Sequence, residues 1–306
     1  MLMTTIFKKL LSQFVFNNQK NLNMSSDDIP IEGNGNVIFG CEIPDEILLQ
    51  IFENLDDYIL VKYVPLVCRH WHEISKTWHL WKARFIKRRN IKVSKGRMDR
   101  FLSSWDNPLV VATVQWLCVN SDRKPVNFNI LKNPSGEQGF SHWKVQHGGD
   151  NLIVEETPNG CDPIPEETGL PTQHCFVSSY ALCRRSQSVS LYRDLGFKPF
   201  VLQVLEPSLI ISEWVSARFD CGAQSMIQVS VIGKKENPTV FITRWKDSDF
   251  GRVEWYKMWK KVNYEELPDG MHTIHFKNLS QDTQFWAGHY GAKTAGSSVV
   301  LDISTD

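Results

Sequence analysis

The chain has 306 residues, long enough for two domains, and its 42% hydrophobic and 11% aromatic content excludes a largely disordered polypeptide. Its 34 Lys and Arg balance 34 Asp and Glu, so no global field favours nucleic acid, an acidic membrane surface or an anionic ligand. Seven cysteines without a CxxC pair fit reduced thiols in the cytosol better than a disulfide framework, and no segment has the apolar length of a membrane span.

In chain order, residues 1–41 read as a tail and linker. The stretch MLMTTIFKKLLSQFVFNNQKNLN is basic, with Phe7, Leu10, Leu11 and Phe14 near helical spacing. It lacks the arginine of a mitochondrial presequence and is too interrupted for a secretory signal, which leaves a loosely ordered tail. The polar, Gly-rich SSDDIPIEGNGNV then serves as a linker.

Residues 42–86 predict a small helical module. Ile43, Ile47, Leu48, Ile51, Phe52 and Leu55 recur at helical spacing, and Pro44, Asp45 and Glu46 supply the chemistry of a helix start. Asp56 and Asp57 break the pattern. Leu60, Val61 and Val64 resume it, Leu66, Val67, His70, Trp71 and Ile74 form another stripe, and Trp78, Trp81 and Phe85 follow. Three or four short helices result, too few for a comfortable core, so part of their apolar surface is expected to meet a partner or the next domain. Cys68, His70 and His72 in CRHWH do not have zinc spacing and read as adaptor-surface or solvated groups.

Residues 87–126 form a basic bridge and connector. IKRRNIKVSKGRMDRFLSSW carries no ribonucleoprotein pattern and reads as a solvated bridge. PLVVATVQWLCVN is apolar enough for a buried helix or a strand, and periodicity does not decide between them.

From 127 to 306 the period changes to two. Leu152 and Val154, then Ile227, Val229 and Val231, then Val240 and Ile242, then Ile274 and Phe276, then Val299, Leu301 and Ile303 mark strands, with HGGD, KENP, LPDG and GHYGAK as turns. Many strands without intervening helices predict an antiparallel β-sandwich of jelly-roll type, with its ligand loops at one end. The fold class is therefore α+β, a helical module ahead of a sandwich. The adjacent pairs Glu155-Glu156, Glu166-Glu167 and Glu265-Glu266 read as solvated faces rather than glycosidase acids. Ser141, His142, His147 and Asp150 lack any nucleophile-elbow or Cys-protease signature, so catalysis by this chain is not expected.

The run Ile43-Pro44, Leu48, Ile51, Leu55, Leu66-Val67-Cys68, Trp71 and Trp81 resembles an F-box over its whole length. The resemblance implies docking of Ile43, Pro44, Leu48, Ile51 and Leu55 on the Skp-type adaptor of a cullin ubiquitin ligase. Four later blocks, 129–156, 176–191, 212–222 and 283–301, resemble the F-box-associated domain of the sugar-recognising, Fbs-type F-box proteins. Such proteins capture high-mannose N-glycans on misfolded glycoproteins in the cytosol, although the family includes members without appreciable glycan binding. The resemblance implies no cofactor and no metal, and leaves ubiquitin transfer to other subunits.

Sugar binding needs an aromatic plate for a pyranose face and polar groups for its hydroxyls. FWAGHYG supplies a plate, because Gly288 and Gly291 permit a tight turn around Phe285, Trp286 and Tyr290. By resemblance, Phe285 and Trp286 occupy the family's stacking pair, Tyr180 its aromatic on a neighbouring loop, and Asp220 its hydroxyl-accepting carboxylate. Two alternatives stay open: alternate residues of the segment fill the core, or Asp220 stabilises its own turn beside Gly222. The chain also departs from the family pattern. Phe285 lacks the hydroxyl of the usual Tyr-Trp pair, Ala287 follows where some members carry Lys, and His289 replaces a common Trp. With Leu182, these features leave room for a receptor that reads a protein surface or degron instead.

Overall fold

The computed structural model describes residues 41–87, 91–123, 125–248 and 252–306, together with the short strands β1 (Ile31–Glu32) and β2 (Val37–Ile38), which form a small sheet with β3 (Cys41–Glu42). The basic tail and most of the linker lie outside the described residues. Two compact units are present: Met1–Lys92 with Met98–Asp122, and Val93–Arg97 with Arg123–Asp306.

The first unit is helical. It contains α1 (Asp45–Glu53), α2 (Asp57–Lys62), a 3-10 turn (Val64–Leu66), α3 (Arg69–Ile74), α4 (Trp78–Lys87), most of α5 (Lys95–Ser103) and α6 (Pro108–Asn120). Asp45 and Glu46 sit in the first turn of α1, where they complement the helix dipole. The break at Asp56-Asp57 is a helix start: Asp56 accepts the Tyr58 amide at 2.8 Å, an N-cap. Leu48, Phe52, Leu60, Trp71 and Trp81 fill the core, with Phe52 and Trp71 edge to face at 5.1 Å. Arg84 closes the C-terminus of α1. It donates to the Phe52 and Glu53 carbonyls at 3.1 Å and to Leu55, and it pairs with buried Asp57. In CRHWH, Cys68 Sγ accepts the Trp71 amide, His70 bonds Asp45, and His72 bonds Lys76.

The segment left open between helix and strand is a helix. Asn107 caps it by accepting the Leu109 amide at 2.9 Å, Pro108 begins it, and Val110, Val114, Trp116 and Leu117 are buried around it.

The second unit is a sandwich whose strands are β4 (Lys144–Gln146), β5 (Ile153–Glu155), β6 (Cys175–Val177), β7 (Cys183–Ser190), β8 (Ser208–Ser216), β9 (Ala223–Ile232), β10 (Thr239–Asp247), β11 (Tyr256–Val262), β12 (Thr273–Asp282) and β13 (Lys293–Asp302). They form two five-stranded antiparallel sheets, ordered β10-β9-β12-β7-β4 and β11-β8-β13-β6-β5. From β6 onward, every connection but the β9–β10 hairpin passes from one sheet to the other, which is the jelly-roll path. Ile227, Val229, Val231, Ile274, Phe276, Val299 and Leu301 face the core as their alternation requires. Val240 and Ile242 do not: they stand opposite Ser230 and Gln228 on the open face of their sheet and are exposed. One helix, α7 (Pro199–Leu205), lies in the β7–β8 connection.

Between the sheets lies a polar centre. Arg185 and Glu213, neither with any exposed side-chain surface, pair at 2.5 Å. Asn278 and Ser297 each donate to Glu213 at 2.6 Å, and Arg185 lies 4.1 Å from the Phe176 ring. Burial pushes the arginine pKa down while the Glu213 charge opposes it.

Two surface readings need correction. Arg97, in the segment read as a solvated bridge, is buried and donates to the carbonyls of Leu205 (3.0 Å), Glu206 (2.9 Å) and Thr305, because a guanidinium fork satisfies carbonyls left unpaired at the end of α7. Glu155 and Glu266 are not merely solvated. Glu155 accepts from buried Lys293 at 2.6 Å, and Glu266 completes a capping box with Asn263.

Candidate functional site: an aromatic loop at one end of the sandwich

The β4–β5, β6–β7, β8–β9 and β12–β13 connections emerge at the same end of the sandwich, because the strands that lead into them run the same way. Of these, β12–β13 carries the expected aromatic pair. Phe285 is 71% exposed and Trp286 43% exposed, so neither fills the core.

The loop is held in this shape by Asp282, fully buried at the end of β12. One carboxylate oxygen accepts the Phe285 amide at 2.8 Å and the other accepts the Trp286 amide at 3.1 Å. Phe285 pays conformationally, with φ at +59°, a left-handed geometry unusual for a bulky L-residue. Beyond it, the Gly288 amide donates to Asp150 Oδ2 at 2.6 Å, His289 Nε2 meets the Asp150 carbonyl at 2.9 Å, and Ser179 Oγ donates to the Gly288 carbonyl at 2.6 Å. Loop residues from β4–β5 and β6–β7 thus brace the aromatic loop on one side. Tyr180, next to Ser179 and half-buried, packs against Gly149, which has positive φ and no room for a Cβ. The structure therefore brings Tyr180 to the same end.

Asp220 reaches it by another route. The Arg218 guanidinium grips both its oxygens, at 2.8 and 3.0 Å, and also lies 4.6 Å from the Tyr290 ring. Tyr290 in turn meets Trp286 edge to face at 5.8 Å. The Arg218 bond holds the Asp220 carboxyl below its usual range. Asp220 is thus an ionised acceptor whose oxygens are already shared with an arginine of its own turn, where Arg218 bridges to Cys221, rather than a carboxylate devoted to ligand. Phe285 and Trp286 thus stand as exposed rings beside half-buried Tyr180 and Tyr290, with the Arg218–Asp220 pair against Tyr290, an arrangement with an apolar plate and charged groups next to it.

Asp282, Asp150, Ser179 and Arg218 escaped the sequence reading. For Asp282 a signal existed: an Asp three and four residues ahead of Phe285 and Trp286 has the spacing of a side chain that captures both amides. Asp150 and Ser179 act across the fold and leave no local trace, while Arg218 grips Asp220 two residues away and reaches across the fold only to the Tyr290 ring.

On the helical unit, Ile43, Ile51 and Leu55 are half-buried and Pro44 is exposed, but Leu48 is fully buried and belongs to the module's own core. Exposed apolar side chains that the reading did not single out for docking are Ile47, Val61, Leu66 and Val67, with Leu66 at 68%. Among the described residues, no three His, Cys, Asp or Glu cluster as metal ligands do, and no helix is long and apolar enough to cross a membrane.

Curated relatives similar to this chain include F-box only protein 6 of Homo sapiens, 29% identical over 274 residues, which cover 85% of this chain and 83% of that protein. F-box only protein 27 of Mus musculus is 28% identical, over 85% of this chain and 90% of that protein. Similar solved structures include the carbohydrate-binding module TmCBM61 in complex with β-1,4-galactotriose, with a TM-score of 0.34, 14% identity, and coverage of 56% of this chain and 96% of that one. A family 16 carbohydrate-binding module has a TM-score of 0.35, 15% identity, and coverage of 56% and 99%. The family model for an F-box-like region matches residues 41–87, and that for the F-box associated region matches residues 121–301, more than half of the chain. The chain belongs to the family of F-box proteins that carry an F-box associated region.

Proposed function

We propose that this chain is a non-catalytic substrate receptor of a Skp–cullin–F-box ubiquitin ligase. The helical module at 42–86 holds the adaptor. The sandwich, 127–306, presents Phe285 and Trp286 to the inner N-acetylglucosamine of a high-mannose N-glycan on a misfolded glycoprotein. Tyr180 flanks the sugar, and Asp220 accepts its hydroxyls on the lone pairs that Arg218 leaves free. The receptor then works in the cytoplasm, on glycoproteins destined for endoplasmic-reticulum-associated degradation. Its contribution to ubiquitin transfer is proximity: it raises the effective concentration of substrate lysines near the conjugating enzyme.

The observation that carries this reading is the strained presentation of Phe285. A left-handed backbone at a bulky residue, fixed by a buried carboxylate and exposing an aromatic ring, is costly for stability alone and accords with a ligand contact. A receptor for a protein surface without sugar is the second reading, and the capture of Asp220 by Arg218 favours it.

The test is a three-component pull-down with the full chain, a Skp-type adaptor and a denatured high-mannose glycoprotein. Both partners are expected with the wild type. The adaptor alone is expected with Trp286→Ala, and the glycoprotein alone with Leu66→Glu. Equal recovery of a glycoprotein stripped of its glycans would replace the sugar reading with the protein-surface one.

A further inference from the structure

We propose that the open face of the β10-β9-β12-β7-β4 sheet is a docking surface for an acidic, extended polypeptide segment. This contact is separate from the aromatic loop and does not depend on the glycan reading.

The argument begins with charge segregation. The chain is neutral overall, yet strand register puts Lys144, Arg184, Arg244, Lys246 and Lys277 on one sheet face. Directly opposed residues share a face, and these five stand opposite Ser186, Leu279, Met226, Gln224 and Gln228 respectively. The only acids in the five strands, Asp247 and Asp282, point inward and are buried. Five cations thus share a face with no carboxylate from its own strands. At the middle of this face lies a trough of about 290 Å³, lined by Ser186, Ser188, Gln228, Ser230, His275 and Lys277. Short hydroxyl and amide side chains there leave hydrogen-bonding groups for a chain laid across the strands.

The opposite sheet shows what a covered face looks like. The β5–β6 connection lays Ile164 and Leu170 over Cys175, Val177 and Ala295, joined by Trp255, and builds a second small core. No described segment of the sandwich does this on the basic face.

Chemistry selects the occupant. His275 is the one ring that points outward from the five strands, with no Phe, Tyr or Trp beside it, so single-stranded nucleic acid has no run of rings on which to stack successive bases. Val240 and Ile242 are its only exposed large apolar groups, too few to insert into a bilayer. Five strands at about 4.8 Å spacing are roughly 20 Å wide, the reach of about six extended residues. An acidic peptide of that length meets cations on four of the five strands, all but β9.

The test uses the full chain and a fluorescein-labelled peptide of about twelve residues, alternating Glu and Ser, about twice the width of the sheet. Fluorescence anisotropy is expected to show binding that weakens severalfold between about 20 and about 200 mM salt, as screening shortens the reach of the charges. The combination Arg184→Gln, Arg244→Gln and Lys277→Gln is expected to weaken binding at least about tenfold with an unchanged melting temperature. Lys87→Gln, Lys198→Gln and Lys257→Gln, an equal loss of charge elsewhere, is expected to leave binding intact. Should the first combination fold poorly, Lys144→Gln with Lys246→Gln provides the same readout. The proposal is overturned if the wild type does not bind the peptide, if both combinations weaken it equally, or if oligothymidine or phosphatidylserine vesicles bind more tightly than the peptide.

Discussion

Replacing Phe285 by glycine should separate the cost of the aromatic loop from its use. At φ +59°, a residue with a Cβ carries about 1–2 kcal/mol of backbone strain, which glycine relieves. Glycine's greater freedom in the unfolded chain opposes this by about 0.5–1 kcal/mol. Because 71% of Phe285 is exposed, less than a third of the about 1.5–3 kcal/mol attached to burying such a side chain is lost with the ring. The three contributions nearly cancel, and Phe285→Gly should remain within about 1 kcal/mol of the wild type. Phe285→Ala loses the ring and keeps the strain, so it should be the less stable of the two. Urea unfolding of both variants measures this difference, and calorimetric titration with a high-mannose glycopeptide measures the use. Both should bind the glycopeptide far more weakly than the wild type. A glycine variant clearly less stable than the alanine variant, or one that binds like the wild type, would refute the reasoning.

Asp282→Ala removes both acceptors that shape the loop. With hydrogen bonds to a charged group worth about 1.5–3 kcal/mol each, a loss of about 3 kcal/mol or more is expected, with faster hydrogen exchange at the Phe285 and Trp286 amides. On the helical unit, Leu66→Glu should abolish adaptor binding while the helices persist by circular dichroism. Leu48→Ala should instead destabilise the module by about 2–5 kcal/mol, because Leu48 is core. The Arg218 bond lowers the Asp220 pKa, so its stabilising contribution is present above the unfolded carboxylate value of about 4 and is lost as pH falls below it. Glycan affinity that uses this carboxylate should be level from about pH 7 to pH 5, and an Asp220-dependent midpoint above about 5 would contradict the ion pair.

The helical module and the jelly roll were legible because their periods are local: stripes such as Leu48, Phe52 and Leu55, and alternations such as Ile227, Val229 and Val231, each state which face is buried. Val240 and Ile242 mark their strand but not its buried face, because β-branched residues suit either face and only the pairing with Ser230 and Gln228 turns them outward. The connector helix stayed ambiguous by periodicity because it is buried nearly all round, although Asn107-Pro108 marked its start. At the site, resemblance pointed to Tyr180, Asp220, Phe285 and Trp286, and the fold sets them at one end of the sandwich. What holds them there was not readable. Asp150 and Ser179 make their contacts between loops far apart in sequence, as Arg218 does with the Tyr290 ring, and Arg185 with Glu213 does the same inside the core.

The most direct measurement is calorimetric titration of the full chain with one high-mannose glycopeptide and with the same peptide after enzymatic removal of its glycan. Saturable binding of the first alone, lost in a Trp286→Ala protein that melts with the wild type, is the predicted result. Equal binding of both peptides, or binding that survives Trp286→Ala, would contradict the assignment of the aromatic loop as a glycan site.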